Sequence, residues 1–219
     1  MKLNRLLICI VPIGFLISSC STGSGTESAS CFLTKKDLVG ADLSRCDLAS
    51  ADLRGRDLSG TNLMFAYLPG ADFYGANLTG ANLTGAVLWD ASLAGTNLTN
   101  VNLSGADLNK ASLYDAVLTG VNLFEATLTR ARLGPDLSYV KFSDVNMEEA
   151  DLSGADLTDT DFTGSDLLDA DMSGVLLKGT TMPDGSTCTF SSRMSGSYEQ
   201  PMIWNWMPCS GSWINRSGW

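Results

Sequence analysis

The chain contains no histidine. That excludes His-based catalytic triads and the usual zinc sites together. Positive charge is also scarce, with 14 Lys and Arg against 24 Asp and Glu and a net charge of −10. An acidic chain is a poor direct ligand for nucleic acid. No carboxylate pair can be singled out as catalytic, because nearly every Asp falls at one recurring sequence position. The N-x-S/T sequences, such as Asn77-Leu78-Thr79, are by-products of the same recurrence. No metal, cofactor or small-molecule substrate is indicated.

What the chain has instead is a phrase repeated every five residues, as in GANLTGANLTG at 75–85. Counting in fives from Leu38 to Leu133 gives 20 positions, of which 19 are Leu and one is Phe73. The register slips by one residue at Gly134-Pro135, then resumes at Leu137 and runs to Met182 through ten more Leu, Phe or Met centres. An internal repeat of this extent sets the fold before any local propensity does. In the first run the position two before the centre is Ala 13 times, with Lys36 and Arg56 as the two large exceptions. Asp or Asn usually precedes the centre. Polar residues or Gly follow it.

Neither regular element accommodates this period. A helix carries each fifth residue about 140° around its axis, which spreads Leu over every face. A straight strand alternates faces, so centres five apart point in opposite directions. A corner in every repeat resolves the conflict. Three extended residues put the small residue and Leu inside and Asp or Asn outside. The last two residues make the turn, where Gly accepts positive φ at no steric cost. Corners of about 90° close a square coil of 20 residues, and 30 repeats give about 7.5 coils, a rod roughly 36 Å long. Asn62, Asn82, Asn102 and Asn122 then form a ladder on one face. Coils touch only their neighbours, so both ends need covering.

This pattern resembles the pentapeptide-repeat family, whose A-(D/N)-L-x-x phrase is met by Ala41-Asp42-Leu43, Ala51-Asp52-Leu53, Ala76-Asn77-Leu78, Ala81-Asn82-Leu83, Ala106-Asp107-Leu108 and Ala155-Asp156-Leu157. The resemblance covers residues 36–183. It implies an all-β fold, a right-handed quadrilateral parallel β-helix, here over residues 31–183. Some members of the family bind DNA gyrase as acidic duplex mimics, so the resemblance carries the fold further than the function.

The first residues address the chain. Lys2 and Arg5 precede the apolar stretch Leu6–Ile17, and Ile17-Ser18-Ser19-Cys20 follows. Residues 1–19 therefore read as a bacterial signal peptide. The last four resemble a lipoprotein signal box. That resemblance implies cleavage before Cys20, a diacylglyceryl thioether on its sulfur and a membrane attachment through it. An ordinary secreted protein is the plainer alternative. Ser21 after the Cys favours, by the same resemblance, the outer membrane where the cell has one. Residues 20–30 read as a lipidated Cys and a flexible tether. Removing 1–19 takes two basic groups and no acidic ones, leaving 12 basic against 24 acidic and a net of −12. Export also separates the chain from gyrase.

Three surface features are candidates for contact. Tyr67, Val87 and Trp89 fall on one face, and Tyr74 and Tyr114 on the corners of the next. A small apolar patch on a polar rod marks a contact site, although scattered exposed aromatics are also normal. Residues 144–171 hold ten Asp or Glu and no Lys or Arg. Within them Asp151, Asp156, Asp161 and Asp166 form an acidic belt on four consecutive faces. The belt suits a basic partner or a weakly held cation. It reads more simply as a solvated repeat position, since carboxylates on different faces point apart. The third feature is the tail, residues 184–219, which begins after Pro183 and carries Trp204, Trp206, Trp213 and Trp219. It reads first as a C-terminal cap and second as an aromatic docking element.

Cys9 leaves with the signal and Cys20 would carry lipid, which leaves four cysteines. Cys188 with Cys209 would close a loop in the tail. Cys31 with Cys46 would staple the N-terminal end, although Cys46 also fits its inward slot as a free thiol. The reading is a lipid-anchored, non-catalytic rod of the cell envelope, a spacer or a platform for an unidentified envelope protein. An acidic mimic for a DNA-processing enzyme such as gyrase and an envelope carbohydrate-binding protein are the two alternatives.

Overall fold

The computed structural model describes residues 38–188, together with the backbone of Cys9–Ile10, Leu16–Ile17 and Cys209–Ser210. Apart from Cys9–Ile10 and Leu16–Ile17, the expected signal peptide lies outside the described residues, as do Cys20, the expected tether, Cys31, Lys36 and the four tail tryptophans.

From Asp42 to Thr181 the backbone climbs by parallel bridges that join residues 20 apart, save for two bridges of 19. Four columns result. The first runs Asp42, Asn62, Asn82, Asn102, Asn122; the second Asp47, Tyr67, Val87, Asp107, Thr127. The third runs Asp52, Asp72, Ser92, Ser112, Arg132, and the fourth Asp57, Asn77, Asn97, Val117. We call these faces 1 to 4. Each bridge is a single residue between two turns, so the sides are shorter than the three-residue strands expected. The corner claims the residues on either side.

The hydrogen bonds explain the repeat position by position. In the pentad Ala41–Arg45, Leu43 N–H donates to Asn62 O one coil on (2.7 Å), and Arg45 N–H donates to Met64 O (2.9 Å). Ala41 N–H closes the preceding corner on Leu38 O (2.9 Å). The outward residue donates to the coil before, as Asn62 does to Ala41 O (2.8 Å). One N–H per pentad then has no backbone partner, that of the first corner residue. The outward Asp or Asn supplies its acceptor: Asp42 Oδ1 takes Ser44 N–H at 3.0 Å, and Asn97 Oδ1 takes Thr99 N–H at 3.1 Å. The preference for Asp and Asn is thus an Asx cap on the corner that follows.

Outside Gly134-Pro135 and Pro183-Asp184, the second corner residue has positive φ. Gly does this at no cost, as at Gly80 (φ 67), and residues such as Phe65 (φ 56) and Asp90 (φ 53) tolerate it elsewhere.

The centres fill the inside. Leu48 through Leu93 and Phe73 are fully buried, and Phe142 stacks on Phe162 with ring centroids 5.3 Å apart. Thr61, Thr96, Thr160 and Thr180 take the inward small position. Each hydroxyl donates to a backbone carbonyl below, as Thr96 Oγ1 does to Phe73 O at 2.8 Å, which satisfies the buried hydroxyl. Arg56 is half-buried in its inward slot. Cys46 and Cys188 are both buried and disulfide-bonded. Thr187–Cys188 pairs antiparallel with Cys209–Ser210, placing Cys188 opposite Cys209.

The expected Asn ladder forms only in part. Asn122 Nδ2 donates to Asn102 Oδ1 at 3.0 Å, and Asn62 Nδ2 to Asp42 Oδ1 at 3.0 Å. Asn82 Oδ1 is instead taken by Thr84 N–H and Thr84 Oγ1 at 3.1 and 2.6 Å. The corner is the stronger claimant.

The slip at Gly134-Pro135 shortens one coil. Thr127 bridges Asn146 and Arg132 bridges Asp151, each 19 residues on, before Asp136–Asp156 restores 20. Gly134 fits here because a Cβ would stand 2.9 Å from Asp115 N.

Candidate interaction surface

Face 2 carries an apolar group on the exterior. Tyr67 bridges Val87, and the exposed Trp89 follows at the next corner. Phe65, also exposed, stands at the corner before Tyr67. Sequence reasoning missed Phe65 because corner residues vary freely. Its signal was Gly85: the aromatic ring lies over a corner residue that has no side chain to obstruct it. On its other side Phe65 meets the Arg45 guanidinium, 6.0 Å from the ring centroid. The patch therefore spans two corners and two stacked sides.

Its side-chain identities depart from the capping rule. Tyr67 cannot accept the corner N–H, but the first corner residue there is Pro69, which has none. Thr181 and Pro183 repeat the combination. Val87 has no such compensation, and Trp89 N–H has no acceptor among the described residues. Replacing two successive caps in one column by apolar side chains serves no need of the coil.

Tyr74 and Tyr114 stand in one corner column of face 3 and point outward. Neither joins the patch. Tyr114 is covered by Arg132, whose guanidinium lies 4.8 Å from the ring centroid. Tyr74 borders a shallow surface lined by Asp52, Arg54 and Gly75. There Arg54 bonds Asp52 at 2.8 Å and approaches Asp72 at 3.6 Å. The Arg54 hydrogen bond holds the Asp52 carboxyl down to about 2.

The acidic belt stands on four different faces, as its residue numbers require. Each member serves its own corner, with Asp151 accepting from Ser153 N–H, Asp156 from Thr158, Asp161 from Thr163 and Asp166 from Leu168. The Thr163 hydroxyl, foremost, keeps the Asp161 carboxyl below its usual range. Among the described residues no group of acids or cysteines is placed to hold a metal ion. No helix there is long and apolar enough to cross a membrane.

The Pentapeptide repeats family matches in eight copies, over residues 33–63, 46–85, 102–134 and 141–179. The chain belongs to the pentapeptide repeat family. Among solved structures it is similar to HetL, a pentapeptide repeat protein involved in heterocyst differentiation regulation from the cyanobacterium Nostoc sp. strain PCC 7120. The two share 28% identity over 69% of this chain and 86% of that one, with a TM-score of 0.39. A trypsin-treated form of QnrB1, a plasmid-mediated fluoroquinolone resistance protein, shares 22% identity over 68% of this chain and 73% of that one, with a TM-score of 0.46. The protein alr5209 from Nostoc PCC 7120 shares 31% over 45% and 78%, with a TM-score of 0.28. No curated protein matches.

Proposed function

We propose that this chain is a non-catalytic β-helical platform that binds a protein of the bacterial cell envelope through face 2. A lipid on Cys20 would hold it at the membrane, outer where there are two. The rod would be right-handed with about seven coils, closed at its far end by residues 184–219. The observation that carries the reading is the group Phe65, Tyr67, Val87 and Trp89, continuous across two coils of the exterior. Apolar groups of this kind on polar surfaces form the centre of protein interfaces. The acidic exterior suits a protein partner better than nucleic acid directly. The membrane attachment is supported by Lys2, Arg5 and the run from Leu6 to Cys20.

Two measurements test the two halves. Tyr67→Ala with Trp89→Ala should abolish recovery of a specific partner while leaving the melting temperature within a few degrees. Unchanged partners would end the face 2 assignment. Cys20→Ala should move the protein from the detergent phase to the aqueous phase. Wild type and variant both in the aqueous phase would end the lipid assignment.

A further inference from the structure

The shortened coil leaves an opening in the wall. The bridges that would join Val117 to Asp136 and Asn122 to Lys141 are absent, whereas Ser112–Arg132 before them and Thr127–Asn146 after them are present. The N–H groups of Leu118, Gly120, Leu123 and Glu125 consequently find no acceptor among the described residues. On the facing lip the N–H groups of Asp136 and Lys141 are likewise without one. The split is closed at one end by Gly134 against Asp115 and at the other by Leu128 N–H on Asn146 O at 2.6 Å. Between them, on face 4, lies a cleft of about 420 Å³. Leu118 and Val140 stand in its lining, Tyr139 is 72% exposed at its edge, and its charged groups are Asp115 and Asp136.

We infer that this cleft is a β-augmentation site for an extended, positively charged segment of a partner protein. An inserted segment running parallel to both lips meets unpaired N–H donors on each, those of Leu118 and Gly120 on one and that of Asp136 on the other. That is how a peptide adds to an unpaired sheet edge. The apolar lining accepts alternate small side chains, and Asp115 and Asp136, with no Lys or Arg lining the cleft, select Lys or Arg at the mouth. The inference rests on the platform reading but uses a different face, so the two can fail separately.

The test uses the full chain and two capped hexapeptides, one alternating Lys and Val and one alternating Glu and Val. In the free chain the amides of Leu118 and Gly120, which line the cleft, should exchange rapidly with solvent. The Lys-Val peptide should slow them at least tenfold, and the Glu-Val peptide should not. Inserting one Ala between Gly134 and Pro135 restores a 20-residue coil and should weaken binding at least tenfold. Asp115→Asn with Asp136→Asn provides a second variant. It keeps the side-chain carbonyl that caps Ser138, removes the charge, and should weaken Lys-Val binding severalfold. Tyr67→Ala with Trp89→Ala should leave it unchanged. The inference is overturned if the Lys-Val peptide does not bind or binds no better than the Glu-Val peptide. Slow amide exchange in the free chain would overturn it too, since the chain itself would then fill the cleft.

Discussion

The ring of Phe65 occupies the space above Gly85: a methyl group on Gly85 would lie 2.5 Å from the ring. Gly85 also has φ of +62. Gly80, one corner earlier, has a similar φ of +67 and open space around it. Gly80→Ala should therefore cost only the left-handed backbone penalty, about 1 kcal/mol. Gly85→Ala carries that penalty and must also displace Phe65 from the patch. Urea midpoints should fall further for Gly85→Ala, and partner binding should weaken for that variant alone.

The corner caps make a paired prediction. Asn97 Oδ1 accepts from both Thr99 N–H and Thr99 Oγ1, at 3.1 and 2.7 Å. Asn97→Ala removes both and should cost about 1–2 kcal/mol in denaturant unfolding, while Asn97→Asp retains the acceptor and should cost much less. Tyr67→Asn restores the family residue at a corner whose first residue is Pro69. It should add no measurable stability, because Pro69 has no N–H to accept from.

Acid should weaken the rod in a defined window. Asp52 is held down to about 2 by its hydrogen bond from Arg54, and Asp42 and Asp57 are lowered chiefly by the hydroxyls of Ser44 and Ser59. A carboxyl with a depressed folded value binds protons more readily when unfolded, so its contribution is complete above the unfolded value and vanishes on acidification. Melting temperature should be flat above pH 4 and fall between about pH 4 and pH 2. Asp52→Asn, which retains the cap but not the ion pair, should shallow that fall.

Cys46 and Cys188 are both disulfide-bonded, and Cys188 faces Cys209 across an antiparallel pair. The pairing expected is Cys188 with Cys209 and Cys31 with Cys46. Peptide mapping without reductant should recover those two links. Cys188→Ser with Cys209→Ser should lower stability by about 3 kcal/mol, as loss of a loop of about 22 residues implies. Recovery of Cys46 linked to Cys188 would refute the assignment.

The period of five was sufficient to place the Leu centres inside and to foresee bridges 20 residues apart, such as Asn82–Asn102. It also put Tyr67, Val87 and Trp89 on one face, because a fixed coil length turns numbering into position. It did not reveal why Asp and Asn recur. That depends on counting backbone donors around a corner, and the one left over appears only when the coil is built. The opening beside Val117 was hidden for a related reason. A missing residue at Gly134-Pro135 is visible in the sequence, but where the wall parts depends on how the shorter coil distributes its contour. Phe65 escaped notice because its place in the patch comes from Gly85, 20 residues later.

Photocrosslinking in intact cells tests the central claim most directly. A photoreactive residue placed at position 67 or 89 on face 2, and at 57 or 77 on the opposite face, samples both sides of the rod. The account predicts one discrete protein adduct from 67 and 89 and none from 57 and 77. Equal adducts from both faces, or none from face 2, would contradict it.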